Sequence, residues 1–392
     1  MRSKKPVVVF IINSLGLGGA ERALSNILYA TPAREQYDIH VVLLDTEKEN
    51  RMLPEFVTMH RLDSRRSLLR SIWLLTKKLN ELKPNLCVSL LVRSNVANIV
   101  VSRLFNHRPA IICERMHLSS HLELQYTGVK RYLSKLLPRT LYRFANQALG
   151  VSTGVTDDLV AHFDMPRNRT MTIFNPYDHA QIQQDGKRQS EFIIERPYIM
   201  AVGRLTKSKN FSDLIIGYAH STTEYDLVIL GDGASHEREK LQELIYLQGL
   251  SEKVHLAGYA KNPFALMKNA EFYISASLNE GFPNAMLEAM VLGLPVVATN
   301  CPSGPAEILA NDDTLHITNM HLAQYGILVP TLSASCITAA INEMSSPQTQ
   351  QHYAAQSILR SKDFELQKIA NEYWQNFDSF LSTERQKEYY KP

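Results

Sequence analysis

Two acidic residues, Glu280 and Glu288, lie eight positions apart in the stretch SLNEGFPNAMLEAMVLGLPVVAT. Carboxylates repel phosphate groups, so beside an anionic ligand their natural partners are hydroxyl groups. Glu280, in a loop, is suited to accept hydrogen bonds from a sugar, and Glu288, one helical turn into a helix, is suited to hold a ribose in bidentate fashion. Taken singly, each has a plainer explanation: Glu280 as a solvated loop residue, and Glu288 as a glutamate favoured at a helix start by the helix dipole.

The residues around this pair predict the elements that position it. Residues 273–275 bring a buried strand to its carboxyl end, a tight loop follows, and Asn284 is a suitable N-cap for a helix that begins near Ala285. A helix N-terminus that points out of the crevice beyond a parallel sheet is a ready site for a diphosphate. The residues of the loop and helix start assigned to this site are Gly281, Phe282, Pro283, Asn284 and Ala285.

Residues 280–299 resemble the signature of a large family of retaining glycosyltransferases, often called family 4, whose GT-B fold has two Rossmann-like domains. The resemblance implies that Glu280 contacts the donor sugar and that Glu288 contacts the ribose. The residues that follow, CPSGPAEIL, are similar to a subgroup that builds lipid-linked or surface oligosaccharides in bacteria. The resemblance covers nearly the whole chain and is strongest over residues 203–309.

A strand-to-helix loop in the second half of the chain contains Gly203, Arg204 and Lys209. An arginine fork and a lysine point charge can neutralise a diphosphate in place of a metal ion. On its own this pattern favours a basic surface loop. In the family that the chain resembles, a Gly-Arg-Leu run and a following lysine bind the diphosphate, which implies that role for Arg204 and Lys209, with Lys207 nearer to solvent.

A glycine-rich turn, NSLGLGGAE, follows the first buried strand and precedes a helix predicted from about Arg22. The turn is not the dinucleotide fingerprint, because the third glycine of that pattern would fall at Glu21. Gly18 and Gly19 instead allow backbone amides to approach a phosphate or a sugar, and a plain tight turn is the alternative. In the resembling family a GGAER-like loop lies beside the donor.

Two further strand ends carry candidate site residues. CERMH, at residues 113–117, follows the fourth predicted strand, and in the resembling family a residue here, often a histidine, touches the donor. We assign that role to His117, with Glu114 and Arg115 as open alternatives, and a surface loop histidine is the plainer interpretation. Tyr259 follows a later strand, in a segment that packs against the nucleotide base in relatives.

The chain of 392 residues is too long for one compact domain and suits two. Alternating strands and helices predict a parallel, doubly wound sheet in each domain. We therefore predict an α/β fold of the GT-B type, with two Rossmann-like domains that face a central cleft. The predicted boundaries are an acceptor-binding domain at 1–177, a linker at 178–196, a nucleotide-sugar-binding domain at 197–363, and a helix at 364–392 that crosses back to the first domain.

The cysteine pattern and the hydropathy favour a reduced, cytosolic protein. The four cysteines are far apart and have no metal-ligand spacing. The apolar run at residues 7–12 predicts a strand rather than a signal peptide. No apolar stretch approaches the roughly 18 residues that span a bilayer.

Charge is distributed unevenly along the chain. Residues 1–178 contain 25 Lys and Arg against 15 Asp and Glu, whereas the remainder contains 17 against 24. The basic residues concentrate at 61–83 and at 124–156, and the second segment predicts an amphipathic helix, kinked or interrupted at Pro138, whose basic face meets anionic headgroups. A solvated helix face is the plainer interpretation. No stacking platform or recognised module accompanies this charge, which argues against nucleic acid as a partner.

Together with these observations, the resemblance implies a retaining, metal-independent enzyme that needs no cofactor beyond its donor. It transfers a hexose or N-acetylhexosamine from a nucleotide-diphosphate sugar, with UDP as the expected nucleotide, to a glycan or a polyprenyl-diphosphate-linked oligosaccharide in cell-surface polysaccharide assembly. Its expected location is cytoplasmic, peripheral on the inner face of the membrane. An epimerase or phosphorylase on the same architecture and a non-catalytic sugar-nucleotide-binding scaffold are the alternatives. The intact set of Arg204, Lys209, Glu280 and Glu288 argues against the scaffold.

Overall fold

The computed structural model describes residues 5–32 and 34–389, with side chains as far as residue 382. These residues form two compact units: unit 1 comprises the described residues up to Tyr177 and from Leu366 onward, and unit 2 comprises Asp178–Glu365. Among them, no helix is both long enough and apolar enough to cross a bilayer. All four cysteines lie in this part of the chain, and all four are free thiols.

Unit 1 is built on a sheet of seven described strands, which are β1 (Val7–Ile12), β2 (Asp38–Leu43), β3 (Thr58–Arg61), β4 (Leu86–Leu90), β5 (Ala110–Glu114), β6 (Gln147–Gly150) and β7 (Thr170–Thr172). The strands are all parallel, in the order β3-β2-β1-β4-β5-β6-β7. Its first helices are α1 (Gly19–Tyr29), α2 (Leu68–Leu82), α3 (Val92–Asn98), α4 (Leu118–Gln125), α5 (Gly128–Leu141) and α6 (Thr153–His162). Helix α3 continues as a π-helical turn over Ile99–Phe105.

The sheet of unit 1 is covered on both faces. Along β1, Val8 and Phe10 belong to one buried cluster, and Val9 and Ile11 belong to a second. Because successive side chains of a strand point to opposite faces, both faces bury apolar side chains, and the strand is a continuous apolar run. The strand order reverses between β1 and β4, which makes the carboxyl ends of these two strands the switch point of the sheet.

Unit 2 repeats this plan. Its described strands are β8 (Tyr198–Val202), β9 (Asp226–Leu230), β10 (Val254–Gly258), β11 (Tyr273–Ser275), β12 (Val296–Thr299), β13 (His321–Leu322) and β14 (Ile327–Val329), in the order β10-β9-β8-β11-β12-β14-β13. They are parallel except for β13, which pairs antiparallel with β14. The helices are α7 (His179–Gly186), α8 (Phe211–Ala219), α9 (Ser235–Leu247), α10 (Pro263–Met267), α11 (Asn284–Val291), α12 (Pro305–Leu309), α13 (Ala334–Met344) and α14 (Pro347–Ser361). The prediction of two doubly wound α/β sheets is confirmed.

The last helix, α15 (Leu366–Tyr389), packs on unit 1. The Trp374 ring lies 4.8 Å from the Tyr37 ring, and its Nε1 donates to the carbonyl of Ile27 at 3.3 Å. Tyr37 in turn donates its hydroxyl to Asp378 Oδ1 at 2.7 Å. The predicted terminal helix therefore begins at Leu366, two residues later than expected, and the last three residues of the prediction, 390–392, lie outside the described residues.

Two predicted boundaries differ from the structure. The segment 178–196, expected to be a linker, contains helix α7, which packs on unit 2: Ile182 is buried, and a Cβ on Gly186 would lie 2.8 Å from Leu292 Cδ2. The sequence analysis missed this helix because the segment is mostly polar and only one face of it makes an apolar contact. Helix α1 begins at Gly19 rather than near Arg22, since the glycine-rich turn itself enters the first helical turn.

Candidate functional site

The main candidate site lies at the switch point of the unit 2 sheet. Strands β8 and β11 are parallel neighbours, so the loops that follow them, residues 203–210 and 276–283, leave the same edge of the sheet. The two loops are joined by a hydrogen bond from the Leu278 amide to the Ser208 carbonyl at 2.7 Å. Helix α11 begins at Asn284, with Pro283 as its N-cap residue and no side-chain cap bond. The prediction that Asn284 is the N-cap is therefore wrong by one position.

The structure brings together two of the predicted site residues, Lys209 and Glu280. Lys209 Nζ donates to Glu280 Oε1 at 2.5 Å, and the two side chains are 26% and 13% exposed. A Cβ on Gly203 would lie only 3.0 Å from Lys209 Cε, so the lysine stem lies directly over the glycine. This pair sets one positive and one negative group side by side at the edge of the sheet.

Two buried groups, the Cys301 thiol and the Tyr273 hydroxyl, lie close enough to Glu280 to be affected by its charge. Burial, together with the negative charge of Glu280, raises the pKa of the Cys301 thiol to about 12. Burial and the same charge raise the pKa of the Tyr273 hydroxyl well above its ordinary value. Both groups are therefore neutral at physiological pH, and Cys301 is not a thiolate nucleophile.

The remaining predicted residues of unit 2 differ in exposure. The side chains of Arg204 and Tyr259 are exposed, Glu288 is buried in α11, and Asn284 and Ala285 are partly buried. The Phe282 ring is buried and meets the Phe364 ring edge to face at 5.4 Å. Its aromatic side chain therefore fixes the loop to the body of unit 2. Gly281 and Pro283 are also buried.

The switch point of unit 1 holds a polar network that the sequence analysis did not identify. Arg93, in the first turn of α3, is paired with Asp45 and donates through Nε to Asn13 Oδ1 at 3.3 Å. Burial would raise the pKa of Asp45, but hydrogen bonds from Arg93, from Ser64 and from the Arg66 amide outweigh it and hold the pKa below its ordinary value. These residues come from four separate segments, and no sequence motif marks them.

The glycine-rich turn lies on the same edge of unit 1. Gly18 is the N-cap residue of α1 and Gly19 is its first residue. A Cβ on Gly18 would lie 2.3 Å from Glu21 Oε2, so the glutamate carboxylate folds back over the helix start. The acidic side chain thus occupies the space beside Gly18.

The three candidates in CERMH, which are Glu114, Arg115 and His117, contact different partners in the structure. Glu114 is buried at the end of β5, accepts the Tyr142 hydroxyl at 3.0 Å, and has a pKa that burial raises to about 7. Arg115 Nη1 donates to the Tyr373 hydroxyl at 2.9 Å. His117 is the N-cap residue of α4, and its Nδ1 lies 2.9 Å from Ser120 Oγ and 3.8 Å from Asp158 Oδ1.

The electrostatics of His117 depend on burial. Burial lowers the pKa of its imidazole, against the opposing charge of Asp158. The residue is thus neutral at physiological pH and able to accept or donate one hydrogen bond. Its assignment as the donor-contacting residue stays a prediction. Within residues 5–32 and 34–389, no group of three or more His, Cys, Asp and Glu is placed to hold a metal ion.

The amino-acid sequence is similar to a known protein family and to known proteins. Residues 183–357 match the family model described as glycosyl transferases group 1, which encloses the Lys209 and Glu280 pair. The chain is 29% identical over 371 residues to N-acetylgalactosamine-N,N'-diacetylbacillosaminyl-diphospho-undecaprenol 4-alpha-N-acetylgalactosaminyltransferase of Campylobacter jejuni, covering 92% of this chain and 96% of that protein.

Solved structures show the same architecture. HepE of Anabaena, solved with UDP and glucose, superposes with a TM-score of 0.72 at 19% identity and covers 95% of this chain and 100% of its own. Sucrose-phosphate synthase of Thermosynechococcus elongatus superposes with a TM-score of 0.79 at 15% identity, covering 97% and 100%. The fold is GT-B. The match to the family model and the similarity to the Campylobacter jejuni transferase support a glycosyltransferase activity, and the Lys209 and Glu280 pair lies within the matched region.

Proposed function

We propose that this GT-B glycosyltransferase is a retaining enzyme that transfers a hexose or N-acetylhexosamine from a UDP-sugar to a lipid-linked or surface glycan. The observation that carries the proposal is the Lys209 to Glu280 pair at 2.5 Å, at the switch point of unit 2 where ligands of such sheets bind. The matched family region supports sugar transfer, and the UDP bound by HepE supports the choice of donor.

Each charged group has a distinct role in the proposed reaction. Arg204 and Lys209 neutralise the diphosphate as it leaves. The negative charge on the diphosphate develops in the transition state, so stabilising that charge accelerates the reaction. These two cations do the work that a metal ion does in other transferases. The N-terminus of α11 adds its partial positive charge, and Glu288 accepts hydrogen bonds from the ribose.

Glu280 orients the donor sugar and forms no covalent bond with it. A carboxylate that already accepts a hydrogen bond from an ammonium group is a weakened nucleophile, but its other oxygen remains suited to a sugar hydroxyl. The substitution then occurs on one face of the sugar: the bond to the diphosphate breaks ahead of acceptor attack, and a donor phosphate oxygen takes the proton of the acceptor hydroxyl.

The acceptor is a glycan or a polyprenyl-diphosphate-linked oligosaccharide, with unit 1 as its binding domain. The similarity to the Campylobacter jejuni transferase, whose name specifies a diphospho-undecaprenol substrate, supports a lipid-linked acceptor. The assignment of Gly18, Gly19 and His117 as residues that contact the donor stays a prediction. Neither an epimerase nor a non-catalytic scaffold is favoured by these comparisons.

A lipid-linked acceptor requires an enzyme that works at a membrane surface, and α5 is the proposed contact. Most apolar side chains on this helix are exposed, with Val129 75% and Tyr132 72% exposed, whereas Pro138 is buried and Leu141 packs against a core cluster of unit 1. The exposed set also contains Leu133, Leu136, Leu137 and, just beyond the helix, Phe144. Apolar side chains interleaved with cations on one exposed helix match the chemistry of an anionic lipid surface, here the inner face of the cytoplasmic membrane.

The other basic segment, residues 61–83, contributes less positive charge to this surface than its composition suggests. Arg61 forms an ion pair with Glu49 at 2.6 Å, and Arg66 pairs with Glu47 at 2.9 Å. Both acids precede the segment, so the composition of residues 61–83 alone overstates the positive charge of this surface. The membrane proposal therefore depends on α5.

The donor assignment is tested by thermal unfolding with UDP, GDP, ADP and CMP, each in EDTA. A nucleotide that binds only the native state raises the melting temperature by mass action. We expect a rise of several degrees with UDP alone, and loss of that rise in Glu288→Ala. A rise with another nucleotide alone would replace UDP as the donor base, and no rise with any nucleotide in folded protein would contradict the proposed donor site.

A further inference from the structure

The loop that carries Glu280 is held on both sides by hydroxyl groups from another segment. Thr299, at the end of β12, donates its hydroxyl to the carbonyl of Ser277 at 2.6 Å. Ser303, four residues later, donates its hydroxyl to the carbonyl of Gly281 at 2.8 Å. The two accepting carbonyls lie three residues before Glu280 and one residue after it, so the two bonds bracket the glutamate.

These contacts are buried. Thr299 is 1% exposed and Ser303 is 3% exposed, and the carbonyls that they satisfy belong to residues that are buried as well. A hydrogen bond away from water is costly to leave unmade, because neither partner can turn to solvent. The loop therefore has one favoured position relative to the segment 299–304.

One further contact ties that segment to the same loop, and one hydrogen bond lies within the segment itself. Gly304 has a φ of +95°, and a Cβ there would lie 2.6 Å from Pro283 Cδ, so only glycine allows the proline to approach this closely. The thiol of Cys301 donates to the Ser303 carbonyl at 3.8 Å. The segment thus contacts the loop before and after the glutamate while contributing no charged group of its own.

We infer that Thr299 and Ser303 are positioning residues that fix the loop carrying Glu280 and thereby set where its carboxylate meets Lys209 and the donor sugar. Neither hydroxyl touches the ligand in this assignment; both act through the backbone of the loop. A displacement of about 1 Å at a catalytic group can lower a rate by roughly a hundredfold, so a loop clamp of this kind has a measurable kinetic signature. The inference rests on the proposed function.

The experiment compares Thr299→Val and Ser303→Ala with Thr338→Val in the full-length protein. Valine preserves the shape of threonine and removes only the hydroxyl. Thr338 is a matched control, because its hydroxyl also bridges two elements of unit 2 by donating to a carbonyl, that of Gly217, at 2.8 Å. We expect Thr299→Val and Ser303→Ala each to lower kcat for sugar transfer by roughly tenfold with KM for the UDP-sugar nearly unchanged, and Thr338→Val to retain kcat.

A double-mutant cycle with Glu280→Ala separates positioning from general loss of structure. If the hydroxyls act through Glu280, adding Thr299→Val or Ser303→Ala to Glu280→Ala causes no further loss of kcat. Thr299→Ser keeps the hydroxyl and is expected to restore most of the activity, even if Thr299→Val unfolds at a lower temperature. Effects that multiply with that of Glu280→Ala, or a Thr299→Ser variant as slow as Thr299→Val, would overturn the inference.

The two proposals fail differently. A folded wild-type protein that neither binds UDP nor transfers sugar would contradict the proposed function before any variant is made. If wild type transfers sugar and Thr299→Val and Ser303→Ala have the same kcat as Thr338→Val, the proposed function remains supported. That result would overturn the inference that Thr299 and Ser303 position the loop.

Discussion

At the scale of single residues, the position of Lys209 depends on the absence of a side chain at residue 203. The lysine Cγ, Cδ and Cε would all lie 3.0–3.1 Å from a Cβ at Gly203, closer than such atoms normally pack. We therefore expect Gly203→Ala to displace the ammonium group from Glu280 and to lower kcat/KM by roughly tenfold while the protein remains folded. Steady-state transfer kinetics with a circular dichroism melt measure both.

The control for this prediction is the same change in a Lys209→Ala background. Without the lysine stem there is nothing to displace, so Gly203→Ala is expected to have no further effect there. A loss of equal size in both backgrounds would show that Gly203 matters for some other reason.

Glu114 gives unit 1 a pH-dependent stability. Its pKa is raised by burial from 4.5 to about 7, so the folded protein holds a proton that the unfolded chain releases between these values. Stability from this group is complete below about pH 4.5 and is lost as pH rises through about 7, a difference of roughly 3 kcal/mol. Glu114→Gln, which does not titrate, should therefore melt several degrees above wild type at pH 8 and close to it at pH 5.

The exposed residue Glu55 in the same unit provides the control, as Glu55→Gln. Its melting temperature is expected to follow that of wild type across the whole range. If the difference between Glu114→Gln and wild type did not grow with pH, burial would not be controlling the ionisation of Glu114.

The sequence supplied the candidate residues but not how they are arranged. Glu280 and Lys209 were chosen from their own motifs, yet they are 71 positions apart, and only the adjacency of β8 and β11 brings them together. The sequence analysis did not identify Thr299 and Ser303, because a hydroxyl that donates to a distant backbone carbonyl leaves no pattern in the neighbouring sequence. Ion pairs such as Arg93 with Asp45 escaped it for the same reason.

At the scale of elements, α5 is the one to test for membrane binding. Lys135 pairs with Glu123 at 2.8 Å, and Arg139 with Asp164 at 3.2 Å. We expect wild type to co-sediment with anionic vesicles and not with neutral ones. Replacing Lys130, Arg131 and Arg143 by Gln should weaken that binding roughly a hundredfold, since each cation near an anionic surface contributes about 1 kcal/mol.

A charge-matched control distinguishes this surface from general electrostatic attraction. Lys187, Arg188 and Lys240 are exposed cations of unit 2, and replacing all three by Gln removes the same charge. That variant is expected to bind vesicles as wild type does. Equal binding by the α5 variant and wild type would show that the helix face is only solvated.

The elements also show where local pattern is a weak guide. Helix α2 has a clear local signal, because its N-cap residue Ser67 accepts a hydrogen bond from the Arg70 amide. Helix α7 was missed, since in this short polar segment only Ile182 and Gly186 are buried. Helix starts shifted by one to three positions at Asn284 and Gly19, where loop and helix share the same residues.

At the scale of the whole molecule, the two-sheet architecture was the most secure part of the sequence analysis. Strands such as Val7–Ile12 are apolar along their full length, which a sheet covered on both faces requires. The alternation of such strands with helices then leaves few topologies, because crossovers between parallel strands are right-handed. The antiparallel strand His321–Leu322 is too short and too exposed to be read from the sequence.

The most direct test of the account is the rate of sugar transfer from a UDP-sugar to a polyprenyl-diphosphate-linked acceptor in EDTA, for wild type, Glu280→Gln and Lys207→Ala. Lys207 is an exposed cation in the same turn as Lys209 and serves as the control. The account predicts transfer with retained anomeric configuration by wild type, a loss of roughly a hundredfold in Glu280→Gln, and a rate near wild type in Lys207→Ala. Transfer by Glu280→Gln at the wild-type rate, or no transfer from any UDP-sugar, would contradict it.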